Sequence, residues 1–179
     1  MVSGLINANP VVHERKERSS RPVATNYEDS SDIDHFDSLE IFDILLSTKC
    51  VNKILDSKIP SIHHVRDITD PEHPYSLEQL NVVTEDSIFV DDSKSYVKVT
   101  FTPTVQHCSM ATVIGLSLRL KLLRCLPPRF KVDIQLAPGS HSTEAAVNKQ
   151  LNDKERVAAA FENPHLVELV EKCLVSTEE

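Results

Sequence analysis

The chain has 179 residues and a net charge of −8, a length that predicts one domain. Three glycines, Gly4, Gly115 and Gly139, exclude any Gly-rich phosphate loop, and the acidic balance with 5% aromatics argues against direct nucleic-acid binding. No apolar run reaches the roughly 18 residues needed to span a membrane.

Residues 1–37 are polar and lack apolar periodicity, so they are expected to be a disordered tail. The short apolar patch Val2–Ile6 reads as part of that tail rather than as a docking peptide. Nothing at the N-terminus resembles a secretory signal. The domain itself is expected over 38–177. Asp37 and Glu40 have capping-box spacing. Leu39, Phe42, Leu46, Cys50 and Ile54 then mark one helical face. Asp70-Pro71-Glu72-His73-Pro74 reads as a rigid turn, because each proline fixes its own φ and pushes the preceding residue toward extended backbone. Ser76 and Gln79 form a second capping box, predicting a short helix to Leu80.

Ile88–Val90 and Tyr96–Thr102 read as strands around Asp91–Lys94. In the second, Val97, Val99 and Phe101 alternate with Tyr96, Lys98 and Thr100. A helix is expected from about His107 to Leu126, ended by Pro127-Pro128. Phe130–Leu136 is a third strand. Three helices are then predicted: Thr143–Asn152, Asp153–Glu162, and a last one opened by Asn163-Pro164 and running through Leu174. The fold class is α+β (α/β), a small domain with one sheet of about three strands packed against helices.

The cysteines stand at 50, 108, 125 and 173, with no C-x-x-C spacing, and disulfides are not expected. Cys108 follows His107 at the predicted first turn of the long helix. Backbone N–H groups, the helix dipole and a neighbouring imidazolium would each lower its pKa. That predicts a reactive thiolate able to hold a soft metal; the competing reading is a small buried hydrophobe. Cys50, Cys125 and Cys173 lie in apolar helical patterns and read as core. Asp70 and Glu72 suit helix capping, metal binding or acid–base chemistry, and turn chemistry alone accounts for them. His73, His107 and His141 lie in or beside loops and, with Cys108, are a conceivable metal set far apart in sequence. Ser109 lacks the glycines of a hydrolase elbow. Between Ser93 and Val132 stand Lys94, Lys98, Arg119, Lys121, Arg124, Arg129 and Lys131 and no acid. This run reads either as ordinary solvated faces or as a dock for an acidic partner.

Three strings give the chain a family likeness: DITDPEHP (67–74), YVKVTFTPTVQHCSMATVIG (96–115) and NKQLNDKERVAAA (148–160). They resemble the cytosolic iron–sulfur assembly targeting family, also called the MMS-nineteen-interacting protein family. The opening MVSGLIN resembles its plant members. The resemblance implies a non-enzymatic adaptor. Such an adaptor joins a WD-propeller subunit and a HEAT-repeat subunit and helps deliver [4Fe–4S] clusters to cytosolic and nuclear apoproteins. It implies Cys108 as the functional thiolate and puts the family's D-P-E turn on Asp70, Pro71 and Glu72, with His107 supporting the thiolate as its sequence neighbour. It also implies a cytoplasmic protein, with a nuclear pool, a link to chromosome partition and a homodimer left open. No cofactor is expected to be held stably. Any cluster would be transient, with Cys108 as one ligand and the rest from a partner, since a [4Fe–4S] unit usually takes four cysteines.

The sequence departs from the family pattern at Ile44–His63, an insertion that is either genuine or retained intron sequence. Two rival readings stand beside the adaptor. One is a thiol- or metal-dependent enzyme using Asp70, Glu72, His107 and Cys108. The other is an interaction protein in sister-chromatid cohesion with no metal role.

Overall fold

The computed structural model describes residues 9–14, 37–46, 68–108 and 110–174. The insertion beyond Leu46, the Val2–Ile6 patch, Cys50 and Ser109 lie outside these residues. Among the described residues the elements run α1 (Ser38–Leu46), β1 (Ile88–Asp91), β2 (Tyr96–Phe101), α2 (Ala111–Cys125), β3 (Lys131–Leu136), α3 (Glu144–Asn152), α4 (Lys154–Glu162) and α5 (Pro164–Leu174). This is the α+β domain with one three-stranded sheet that the sequence pattern predicts.

The sheet order is β1-β2-β3. β1 pairs antiparallel with β2, placing Phe89 opposite Lys98, and β2 pairs parallel with β3, placing Phe101 opposite Leu136. The antiparallel pair needs only a tight connection. Asp91 makes it by accepting the Lys94 N–H at 3.1 Å, and Ser95 turns the chain at φ 48°. The parallel pair needs a crossover, and α2 supplies it. Alternation then does its work: Val97, Val99, Phe101, Val132, Ile134 and Leu136 are all buried on the face that carries the core. α2 packs against β3 and α5, α1 lies against β1, and α3 lies along β3. The opposite sheet face is wetter. There the Tyr96 hydroxyl donates to Asp133 at 2.9 Å, and Phe89, 52% exposed, sits beneath the Lys98 ammonium.

Two close approaches fix how α3 meets the rest. A Cβ at Gly115 would lie 2.4 Å from a methyl of buried Leu151, so glycine lets α2 and α3 come together. The outer edge of β3 is closed by side chains instead of a fourth strand. The Asn152 amide accepts the Ile134 N–H at 3.0 Å and donates to the Ile134 carbonyl at 2.8 Å. Asn148 accepts the Leu136 N–H at 2.7 Å. An edge so covered offers no template for another chain.

Helix ends follow the caps in the sequence. Asp153 accepts the N–H groups of Glu155 and Arg156, and Asn163 accepts that of His165. The Ser76–Gln79 capping box also forms, with bonds of 2.9 and 3.2 Å, yet no helix grows from it. Asn81 enters the left-handed region at φ 54° and ends the turn after Leu80.

The long helix starts at Ala111, not His107, because Gln106 and His107 belong to a turn of the preceding loop. Part of the segment expected to be a disordered tail, residues 9–14, touches the domain, His13 donating its N–H to the Gln79 carbonyl at 2.7 Å. No helix among the described residues is long and apolar enough to cross a membrane.

Candidate functional site

Cys108 sits at the end of the loop between β2 and α2, with only 5% of its surface exposed. Its N–H bonds the Val105 carbonyl, and its carbonyl receives the Ala111 N–H, both at 3.3 Å. The thiol sulfur accepts from the backbone N–H groups of Met110 and Ala111. They belong to the start of α2, as expected for a thiol near it, and they lower its pKa, although the Ala111 N–H also serves the Cys108 carbonyl. The balance nevertheless runs the other way. Burial pushes the Cys108 thiol up, and the carboxylates of Glu72 and Asp70 push it further. The lowered thiol pKa expected from the sequence is therefore corrected: in this fold the Cys108 thiol is shifted upward.

The carboxylates come from the D-P-E turn, which forms a small closed loop. Asp70 donates its N–H to the Tyr75 carbonyl at 2.9 Å, and Thr69 and Ser76 form a bridge. Asp70 Oδ1 accepts the N–H groups of Glu72 at 2.8 Å and His73 at 3.0 Å, so turn chemistry does explain this residue. The turn is anchored to α5, where Thr69 donates its N–H to the Cys173 carbonyl at 2.9 Å. His73 is buried, and its Nε2 has no hydrogen-bond partner.

The structure thus brings Asp70 and Glu72 to Cys108 but turns His107 away. The His107 ring is exposed, with Nδ1 3.1 Å from the Ser142 hydroxyl. The histidine that does reach Cys108 is His141, through the backbone: its Nε2 lies 3.1 Å from the Cys108 carbonyl. Cys173, read from the sequence as core, is buried. Burial pushes its thiol up, and Asp70 adds to this while a Ser117 hydrogen bond opposes it. Its position beside the D-P-E turn had no signal in the chain pattern. Cys125 is disulfide-bonded, against the expectation of free thiols.

The basic run does not form one face. Lys121 is fully buried, Arg119 donates to Asn152 at 2.8 Å, and Arg124 pairs with Glu171. Lys94 pairs with Asp91, and Lys131 lies 3.8 Å from Asp133. The exposed members of that run stand apart from one another, and Lys121 belongs to the interior.

No group of three or more His, Cys, Asp or Glu among the described residues stands ready to hold a metal ion. The sequence and geometry so far point to one family, and comparison with known proteins decides it. Residues 64–136 match the family model described as "Iron-sulfur cluster assembly protein". Protein AE7 of Arabidopsis thaliana is 59% identical over 178 residues, covering 99% of this chain and 100% of that protein. The chain belongs to the MIP18 family. A second member, galla-2 of Drosophila melanogaster, is 48% identical and covers 98% of this chain and 99% of its own. The mouse protein named cytosolic iron–sulfur assembly component 2B is 51% identical, with 95% of this chain and 91% of that protein aligned. In this family member the matched segment holds Asp70, Glu72 and Cys108 together, along with β1, β2, α2 and β3.

Two raised thiols make stability depend on alkaline pH. Cys108 and Cys173 keep their protons in the fold at pH values where an unfolded thiol, near 9.0, loses them. The folded state then binds more protons than the unfolded one, so the stabilisation is whole below about pH 9 and is lost as pH rises through the folded values. Urea unfolding at pH 8, 9 and 10 is expected to show falling midpoints. Cys173→Ser is expected to flatten that decline; an unchanged slope would contradict it.

Proposed function

We propose that this chain is an adaptor subunit of the cytosolic iron–sulfur assembly machinery, with Cys108 as its functional thiol. It performs no turnover of its own. In this reading it joins WD-propeller and HEAT-repeat subunits and helps pass a [4Fe–4S] unit, its cargo, to cytosolic and nuclear apoproteins. The names of its relatives support the setting in the cytosol. The observation that carries the reading is the Cys108 thiol, held on two N–H groups at the start of α2 and faced by the D-P-E turn. One thiol supplies one cluster ligand, and a [4Fe–4S] unit usually needs four. The remaining ligands come from a partner subunit or the client. When iron ligates Cys108, the thiol proton is released, as for any metal–thiolate bond. The buried, protonated resting thiol is thus kept from adventitious oxidation until the cargo arrives.

The test is replacement of the native chain in cells by Cys108→Ala. Client proteins are expected to lose most of their iron and activity, while the variant still co-purifies with the propeller and HEAT-repeat subunits. Full client iron with Cys108→Ala would overturn the thiol role. Full client iron in cells lacking the chain altogether would favour an interaction protein without a metal role.

A further inference from the structure

The loop between β3 and α3 is stiffened from within. Ser140 donates its N–H to the Ala137 carbonyl at 3.0 Å, Gly139 turns at φ 75°, and the Gly139 N–H reaches Glu144 at 2.7 Å. From this loop His141 and Ser142 lace onto the loop that carries Cys108. Ser142 donates its N–H to the Gln106 carbonyl at 3.0 Å, and its hydroxyl meets His107 Nδ1. The His141 ring has a determined tautomer. Thr143 donates its backbone N–H to Nδ1 at 3.1 Å, so Nδ1 is an acceptor and the ring proton sits on Nε2. Nε2–H therefore donates to the Cys108 carbonyl at 3.1 Å, a shorter contact than the 3.3 Å bonds that Cys108 makes within its own loop.

We propose that His141 is a positioning residue for Cys108: its ring latches the Cys108 carbonyl and so keeps the thiol buried until the loop is released. This rests on the reading of Cys108 as the functional thiol, because a buried thiol must become accessible before it exchanges a cluster ligand. The latch acts on the Cys108 backbone, from a separate element, beside the Ser142 bonds to Gln106 and His107 that join the same two loops. Loss of one such bond is expected to change the population of the open loop several-fold.

The experiment is maleimide labelling of the full chain at pH 7.5, with each cysteine-containing peptide quantified by mass spectrometry. His141→Ala is expected to label Cys108 about three- to tenfold faster than wild type, with Cys173 unchanged as the internal monitor of general loosening. His141→Gln, whose amide nitrogen can take the place of Nε2–H, is expected to return Cys108 to within about twofold of wild type. A wild-type Cys108 rate in His141→Ala would overturn the latch. So would equal acceleration of Cys108 and Cys173, or a His141→Gln variant as fast as the alanine. Labelling requires no client. A confirmed latch beside a Cys108→Ala variant that still serves clients would therefore sink the functional reading while leaving the latch in place.

Discussion

Phe101→Ala is expected to lower the stability of the domain by about 3–5 kcal/mol, the usual cost of emptying a buried aromatic site. Phe101 is fully buried at the last position of β2, in register with Leu136. Its carbonyl accepts the Ala137 N–H at 2.9 Å, and the next residue, Thr102, donates its N–H to the Val82 carbonyl at 2.9 Å. The loops that carry Cys108 and His141 diverge from this point. A cavity here removes packing from under both, so the variant is expected to expose Cys108 as well as to melt early. Total stability of a domain is about 5–15 kcal/mol, so the loss is a large share of it. Phe101→Leu keeps most of the volume and is expected to lose well under half as much. Urea unfolding of the three proteins checks this; a loss below about 1 kcal/mol for the alanine variant would contradict the central place given to Phe101.

Much of this architecture was legible because it depends on short periods. Alternation in Tyr96–Phe101 named the buried face of β2, and Asp153 and Asn163 announced two helix starts. Apart from the Ser76 turn, which Asn81 ends locally, the misreadings share a cause: each turned on something distant in sequence. The long helix was expected from His107, but the loop carrying His107 is laced to Ser142, and this interaction has no local signature. Proximity to His107 and the helix start suggested a low thiol pKa, whereas burial and the carboxylates of Glu72 and Asp70 set the opposite direction. Asn148 and Asn152 are four apart and visibly share a helix face. Their partner, the bare edge of β3, exists only once the sheet has formed. The basic run looked continuous because it was read along a line. Folding puts Lys121 inside and Lys131 outside.

The D-P-E turn has two separable jobs, and substitutions at its two acids are expected to divide them. Asp70→Ala removes the acceptor for two backbone N–H groups and is expected to cost about 1–3 kcal/mol, since bonds to a charged group are the stronger kind. Asp70→Asn keeps an oxygen acceptor in place and loses less. Both remove a negative charge that opposes ionisation of Cys108 and Cys173. Glu72→Gln removes charge without removing a turn bond, because Asp70 takes the Glu72 backbone N–H, not its side chain. Glu72 acts on Cys108, while among the carboxylates only Asp70 acts on Cys173.

The pH profile of thiol labelling is therefore expected to shift down for Cys108 alone in Glu72→Gln, and for both cysteines in Asp70→Asn. Stability is expected to stay near wild type in Glu72→Gln and to fall most in Asp70→Ala. Profiles that stay put in both charge variants would reduce the turn to a structural element. The expected pattern would instead make it the device that keeps Cys108 protonated in the resting chain.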